Sequence, residues 1–577
     1  MSNNYQDWVR RFDLLDDSDR RKIRADIEGL QWRPKISVLM PVYNVSARWL
    51  ELAIMSVRRQ LYPHWELCIA DDGSSNPEIC AVLEKHRRED ARIKVVMRGA
   101  NGHISVATNS ALQLATGEYV CFLDHDDELR EHALYMIARA LNQKADLKML
   151  YSDEDHLTPA GLRYNPHFKS DWNPDLLLSQ NYVCHLLALQ SQLIKDLQGM
   201  RTGIEGAQDW DLVLRASERL SPEEIYHIPH VLYHWRVIEG STAQSTSFKP
   251  YVLEAQQRVV REHLERTGIK HAQVLIAREI SQLKVFFELP EDPPLVSVII
   301  PTRDQVKLLR RTVDGVLKNA YRNFELLIID NGSSERATIE YLESLKSLPN
   351  VRIIRDDGEF NFSRLNNGAV KLARGEVLGF LNNDLEPVGD AWLAELLATL
   401  CRPGIGAVGA KLLFPTGLIQ HAGIILGIGG VAGHNHKGRA RFETGYCNRA
   451  ILRQNVSAVT AACMLIKRDI FERVGGFDAE KLAVAFNDVD LGLKIRQQGC
   501  LISFTPYAEL YHYESASRGH ENTPTKFMRF EKEVQVMQER WGETLLRDPY
   551  YNPNLTLESE DFRLAFPSRA VRPWKEQ

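Results

Sequence analysis

Residues 115–127 read ATGEYVCFLDHDD, and residues 373–385 read ARGEVLGFLNNDL. In both, a glycine-containing turn leads into a short apolar run that stops at acidic or amide side chains. Such a run, bounded by turn residues, reads as a buried strand. Its polar end then lies at the carboxyl end of that strand, where open α/β sheets bind ligands.

The similarity extends outward from this pair. ISVLMP (36–41) matches VSVIIP (296–301), and WELCIADDGS (65–74) matches FELLIIDNGS (324–333). The three offsets are 260, 259 and 258. Near-constant spacing at this length means duplication of a whole domain, not a short solenoid repeat. The match resumes at QDWDL (208–212) and NDVDL (487–491), now with an offset of 279. The second copy therefore holds an insertion, expected in the Gly- and His-rich stretch around 415–450.

Each copy opens with an apolar run ending in Pro. An amphipathic helical stretch follows (49–60; 306–318), then an apolar run ending in Asp-x-Gly-Ser. Strand, helix, strand, helix predicts an α/β fold: two tandem domains, each with a mostly parallel central sheet. The expected division is a charged helical lead-in over 1–33, a first domain over 34–271, a linker over 272–294, a second domain over 295–547 and a C-terminal tail over 548–577. WVRRFDLL (8–15) has an apolar face able to dock on the first domain, and ELPEDPP (288–294) forces extended backbone.

The 577 residues leave room for such cores, and 44% apolar with 25% charged residues excludes disordered and fibrous classes. Lys and Arg number 71 against 76 Asp and Glu, so no nucleic-acid partner is expected. No apolar run reaches membrane-spanning length, and the N-terminus lacks the apolar segment of a signal peptide. Eight scattered cysteines without a Cys-x-x-Cys pair fit reduced thiols in a cytoplasmic protein, not a disulfide framework or zinc site.

Asp124 and Asp126 are two carboxylates at a strand end. Hard oxygen ligands of this kind suit Mg²⁺ or Mn²⁺, which in turn hold a diphosphate; a solvated acidic turn is the competing reading. Asp71 and Asp72 end an earlier strand, where a carboxylate accepts hydrogen bonds from a ribose or a base N–H, or closes an Asx-turn. NGHISVATNS (101–110) reads as a loop feeding a helix.

In order, PVYN (41–44), ADDGS (70–74), N-x-x-x-S-x-A-x-N (101–109), the 115–127 block, YSDED (151–155), DWNPDLL (171–177), EGAQDWDLVLR (205–215) and YHWR (233–236) resemble family 2 of the nucleotide-sugar glycosyltransferases. The resemblance covers roughly 36–245. The second copy is similar to a sister branch over 295–545, through FNFSRLNNGA (360–369), GFLNND (379–384), GGFD (475–478), FNDVDL (486–491) and HYESASRG (512–519).

The resemblance implies two GT-A (Rossmann-like) domains and inverting sugar transfer from a UDP-, dTDP- or GDP-sugar with Mn²⁺ or Mg²⁺. It implies Asp209 and Asp488 as general bases, with Asp211 and Asp490 two residues on; a helix-starting acid is the alternative for each. Donor contacts would fall on Pro41, Tyr43, Asp71, Asp72, Asn101, Asn109 and Arg236 in the first copy. In the second they would fall on Pro301, Thr302, Asp330, Arg364, Asn366 and Asn383. Metal contacts would fall on Asp124, Asp126 and His234, and on Asp384 and His512, against the alternative of packed core histidines. The implied acceptor is a growing surface glycan of O-antigen or capsule type, lipid-linked, with peripheral association at the inner membrane.

The second copy departs from the pattern. Asn382-Asn383-Asp384 replaces the acid pair, and Asn331 replaces Asp72. The second domain is still expected to be active; the alternative is one catalytic domain plus one glycan-binding domain. GIGGVAG (427–433) lacks dinucleotide-loop spacing and reads as a flexible acceptor-side loop. His434 and His436, two residues apart, are not expected to bind metal. A nucleotidyltransferase would need a Gly-rich loop where this chain has PVYN and PTRD.

Overall fold

The computed structural model describes residues 2–238, 250–513 and 523–575. The motif residues at 239–245 and 514–519 lie outside the described residues.

The first copy is built on β1 (Ile36–Val42), β2 (Trp65–Asp71), β3 (Ile93–Met97), β4 (Tyr119–Phe122), β5 (Glu128–Leu129), β6 (Met149–Leu157), β7 (Arg163–His167), β8 (Leu187–Gln190) and β9 (Ile225–Arg236). The sheet order is β3-β2-β1-β4-β8-β6-β9-β5, with β7 beside β6. β1, β2, β3 and β4 pair in parallel, as do β6 and β9, while β8 runs antiparallel between the two groups. Every residue of β1 and β2 is buried, as a parallel sheet covered on both faces requires. One apolar cluster fills each face.

The 272–294 segment is more than extended chain. It carries a hairpin, β10 (Gln273–Ala277) with β11 (Gln282–Phe286), whose Leu283 and Val285 pack into the first domain's core.

The second copy comprises β12 (Val296–Thr302), β13 (Phe324–Asp330), β14 (Val351–Arg355), β15 (Val377–Leu381), β16 (Leu385–Pro387), β17 (Ile405–Leu413), β18 (Ile419–His421), β19 (Ile424–Leu426), β20 (Ala432–His434), β21 (Gln454–Asn455), β22 (Cys463–Lys467) and β23 (Leu501–His512). Its order, β14-β13-β12-β15-β22-β17-β23-β16, repeats that of the first sheet position for position. A buried pair is repeated too: Ser37 Oγ donates to Glu66 at 2.6 Å, and Ser297 Oγ to Glu325 at 2.7 Å.

The insertion contains β18, β19 and β20. The 427–433 glycines form a tight β19–β20 hairpin rather than a flexible loop. A side chain at Gly427 would strike the Leu545 carbonyl of helix Pro524–Leu546 at 2.6 Å.

The copies are clasped through DWNPDLL. Asn173 and Asn455 exchange bonds: Asn455 N–H donates to Asn173 Oδ1 at 2.8 Å, and Asn173 Nδ2 donates to the Asn455 carbonyl at 3.0 Å. Asp175 pairs with Arg402 at 2.7 Å and accepts from Ser503 Oγ at 2.5 Å. All of these side chains are buried. The chain after 548 is packed against the first domain. Asn552 Nδ2 donates to Asp153 at 3.0 Å, and buried Trp574 donates to Asp19 at 3.0 Å. Trp8 and Val9 of the lead-in join one cluster with Phe168, Ile428 and Phe562, so that helix docks on both copies.

Candidate active sites

In the first copy the chain turns as soon as β4 ends. The N–H of Asp127 donates to the carbonyl of Asp124 at 3.2 Å. A four-residue turn brings its first and last residues close together. Asp127 therefore joins Asp124 there, with the Asp126 carboxyl still within electrostatic reach of Asp124. His185 completes the group: ligand atoms of Asp124, Asp127 and His185 all lie within 4.8 Å of one another. Two carboxylates and an imidazole form a donor set that fits a divalent cation such as Mn²⁺.

Second contacts hold these ligands in place. The His185 ring stacks on Tyr233, centroids 4.4 Å apart, and its Nε2 lies 3.8 Å from Asp124 Oδ2. Tyr233 OH donates to Asp127 at 2.6 Å, and the Arg236 N–H donates at 2.7 Å. Burial pushes the Asp127 carboxyl well up, with Asp126 and Asp124 adding to the shift. Asp126 is also raised by burial, opposed by His125 and reinforced by Asp124.

Asp209 opens helix Gln208–Ser217 and accepts from Asn181 Nδ2 at 2.8 Å. Burial raises its carboxyl; His185 opposes that shift and Asp124 adds to it. His185 thus interacts with both the acid at the β4 turn and the acid at the helix start. Asp211, by contrast, is a packing residue, buried and paired with Arg215 and Arg201.

The expected donor contacts divide into two sorts. Asp71 uses Oδ2 to accept from Ser74 N–H at 3.1 Å, while its Oδ1 is buried with no partner among the described residues. An acceptor left open in this way is costly unless a ligand satisfies it. Gly73, at φ +75°, turns the chain tightly beneath it, with a Cβ position 3.2 Å from the Asn101 nitrogen. Tyr43 is exposed, and Asn101 caps His103 N–H at 3.1 Å at the rim. Asp72 is occupied, binding Arg98 at 2.6 Å and the Gly102 N–H at 3.0 Å. Asn109 bonds both ways to Met200, at 2.8 Å each. Arg236 is buried against Asp126, Glu128 and the face of Trp49, and the carbonyl of Pro41 faces His125. Asp72, Asn109 and Arg236 are thus each held by protein partners.

In the second copy Asp330 accepts from Ser333 N–H and pairs with Arg355 at 2.7 Å. Arg364 forks onto Asp356, and Asn366 donates to the Phe362 carbonyl at 2.8 Å. Asn383 Nδ2 donates to Thr302 Oγ1 at 3.0 Å, next to buried Pro301. Asp384 Oδ1 lies 3.2 Å from His512 Nε2, and Asn382 Nδ2 donates to the same nitrogen at 3.2 Å. Asp488 starts helix Asn487–Gln497. Burial raises its carboxyl against hydrogen bonds from Ala461 N–H and Thr460.

The histidines matched by sequence, His234 and His512, are not structural equivalents. Glu128 pairs with His234 in the first copy, whereas Leu385, counterpart of Asp127, pairs with His512 in the second. His512 thus stands at the register of Trp235. A one-residue slip sends a side chain to the opposite face of a sheet. His234 accordingly points to Asp155, which Arg163 and Tyr5 also bind, and lies outside the Asp124 group. His185, Asp127 and Asn181 carried no sequence signal beyond the fourth position of the acidic run; only the fold brings them in.

The glycosyl transferase family 2 model matches residues 37–184 and again 297–475. The chain belongs to glycosyl transferase family 2. The family match runs from β1 to Cys184 in the first copy and over the corresponding part of the second, so it ends ahead of His185 and Asp209. The chain is 48% identical over 543 residues, 94% of its length, to an uncharacterized protein, y4gI, of Sinorhizobium fredii. It is 38% identical over 93% of its length to an O-antigen biosynthesis protein, RfbC, of Myxococcus xanthus. It spans 60% and 41% of those two proteins' own lengths. Among solved structures it is similar to GalNAc-T7 with UDP, GalNAc and Mn²⁺, at 17% identity and a TM-score of 0.37, over 52% of this chain and 59% of that one. Among the described residues no helix is long and apolar enough to cross a membrane.

Proposed function

We propose that this family 2 glycosyltransferase carries two active sites, each transferring a sugar from a nucleoside-diphosphate donor to a growing bacterial surface glycan of O-antigen or capsule type. One observation carries the reading. Each copy sets a half-buried aspartate with a raised pKa, Asp209 or Asp488, at the start of the corresponding helix. A carboxylate shifted toward neutrality is suited to general-base work near physiological pH.

In this scheme Asp209 takes the proton of an acceptor hydroxyl. The oxygen forms its bond to the anomeric carbon as the bond from that carbon to the diphosphate breaks, which inverts the centre. Asn181 orients the base, and the open Oδ1 of Asp71 accepts from the nucleoside base or ribose. A divalent cation held by Asp124, His185 and Asp127 would supply positive charge to the leaving diphosphate. Asp384 and His512 would serve that purpose in the second copy. The relationship to RfbC supports the O-antigen setting, and a lipid-linked acceptor at the inner membrane belongs to the same proposal.

A second reading, one catalytic domain and one glycan-holding domain, is favoured by Asn382 and Asn383 at the metal turn. The deciding experiment measures turnover of a nucleotide-sugar panel with Mn²⁺ or Mg²⁺ for wild type, Asp209→Asn and Asp488→Asn. Two active sites require each substitution to remove a different donor's turnover. If Asp488→Asn removes none, the second copy is a holding domain.

A further inference from the structure

The insertion that distinguishes the second copy places two histidines next to Thr460, whose side chain bonds Asp488. His421 ends β18 and His434 ends β20, and their Nδ1 atoms are 2.9 Å apart. The other nitrogen of His421, Nε2, faces two backbone donors, the N–H of Gly423 at 3.3 Å and that of Thr460 at 3.5 Å. Gly423 adopts φ +101°, a conformation that turns its N–H back onto the ring. Thr460 in turn hydrogen-bonds Asp488 through its side chain.

These contacts fix the protons. A nitrogen facing two N–H donors carries a lone pair, so neutral His421 bears its proton on Nδ1. That proton is donated to His434 Nδ1, which leaves the His434 proton on Nε2. His434 is half-buried, and its Nε2 is not enclosed and has no partner among the described residues. Its backbone is pinned as well, since its N–H donates to Glu560 at 3.1 Å. Burial holds both rings neutral, with the charge of Lys437 adding to it at His434, which is pushed down to about 4. Among the described residues the metal-competent group of three side chains is that of the first copy, so this pair is not read as a metal site.

We propose that His434, held in one tautomer by His421, donates its Nε2–H to an oxygen of the acceptor sugar in the second site. This rests on the reading of Asp488 as that site's base. It gives the insertion a role: the first copy lacks β18–β20 in this form, so the two sites would recognise different acceptors. The backbone amides of Gly423 and Thr460 set the direction of the donor, and Thr460 ties that direction to the base.

The test uses the full chain carrying Asp209→Asn, so that transfer reports the second site. Acceptors are p-nitrophenyl glycosides of common hexoses and N-acetylhexosamines. His434→Ala is expected to raise the acceptor KM about tenfold and to lower the ratio of transfer to donor hydrolysis similarly. His434→Gln, whose amide nitrogen reaches the Nε2 position, is expected to restore most of the loss. An unchanged acceptor KM in a variant of unchanged Tm overturns the proposal, as does a loss that Gln does not rescue. Retained transfer in Asp488→Asn would instead overturn the reading beneath it. Independently of any substrate, long-range ¹H–¹⁵N spectra should show His421 as the Nδ1–H form and His434 as the Nε2–H form. Either ring in the opposite form overturns the proposal even if no glycoside in the panel is accepted.

Discussion

His512 presents a lone pair to Asp384 Oδ1 at 3.2 Å because Gln420 Oε1 accepts the proton on its other nitrogen at 2.7 Å. A carboxylate and an imidazole at this spacing suit a shared divalent cation. Gln420 thus sets which nitrogen of the ring is available, as the partners of metal-binding imidazoles generally do. Gln420→Leu should weaken Mn²⁺ binding at the second site by about 10–100-fold. Manganese titration followed by EPR, in a chain whose first site carries Asp124→Asn, would show it. Unchanged affinity would remove Asp384 and His512 from the metal.

The pH dependence follows from the raised carboxyls of Asp209 and Asp488. A base works ionised, so transfer is lost as pH falls through the raised value. The acid limb at each site should therefore lie above the ordinary aspartate range of about 3.9. Asp209→Asn or Asp488→Asn should lower the rate at its own site about 10²–10⁴-fold. Stability runs the other way. A raised folded-state value favours the folded chain most below the ordinary value, a contribution lost as pH rises through the raised one. Asp209→Asn should accordingly raise Tm at pH 8 more than at pH 4, and a scanning-calorimetry series that shows the reverse would refute the assignment.

Asp71 Oδ1 is buried and has no partner among the described residues. Asp71→Asn keeps the shape but puts an amide where an acceptor is needed. Nucleoside-diphosphate affinity at the first site should fall about tenfold, as expected for a lost hydrogen bond to a charged group. Calorimetric titration with UDP, dTDP and GDP reads this directly, and equal affinity for the variant would place the nucleoside elsewhere.

Removing Asp175 strands the buried guanidinium of Arg402, which lies over Phe287 and has Asp175 as its salt-bridge partner. Asp175→Ala should cost about 3–5 kcal/mol, measured as a shift in urea midpoint. Asp175→Ala combined with Arg402→Met should recover part of that loss, because the unpaired charge is gone. A single substitution costing under about 1 kcal/mol would mean that the clasp is a surface contact.

The α/β alternation and the duplication were legible because the buried parallel strands keep their apolar runs and their Pro and Asp-x-Gly-Ser punctuation in both copies. Asp209 and Asp488 were legible as helix-starting acids within a chained motif. What the chain could not reveal was the turn geometry that brings Asp127 beside Asp124. Nor could it reveal the one-residue register difference that separates His234 from His512, since alternation of faces depends on pairing rather than on letters. His185 approaches from a loop sixty residues downstream of Asp124, and no local pattern marks it. The β10–β11 hairpin was hidden for another reason: its short alternating runs are weak beside the proline-rich stretch that follows.

The loop that delivers Asn181 and His185 to the first site starts at Asn173 and Asp175, whose partners Asn455, Arg402 and Ser503 belong to the other copy. Heredity must reckon with that arrangement. A recombination event that replaced one copy with a foreign homologue would carry off half of each partnership and unseat the neighbour's 181–185 loop. Variation in these proteins should therefore arise by exchange of the whole pair, or by drift within the β18–β20 insertion, rather than by shuffling single copies.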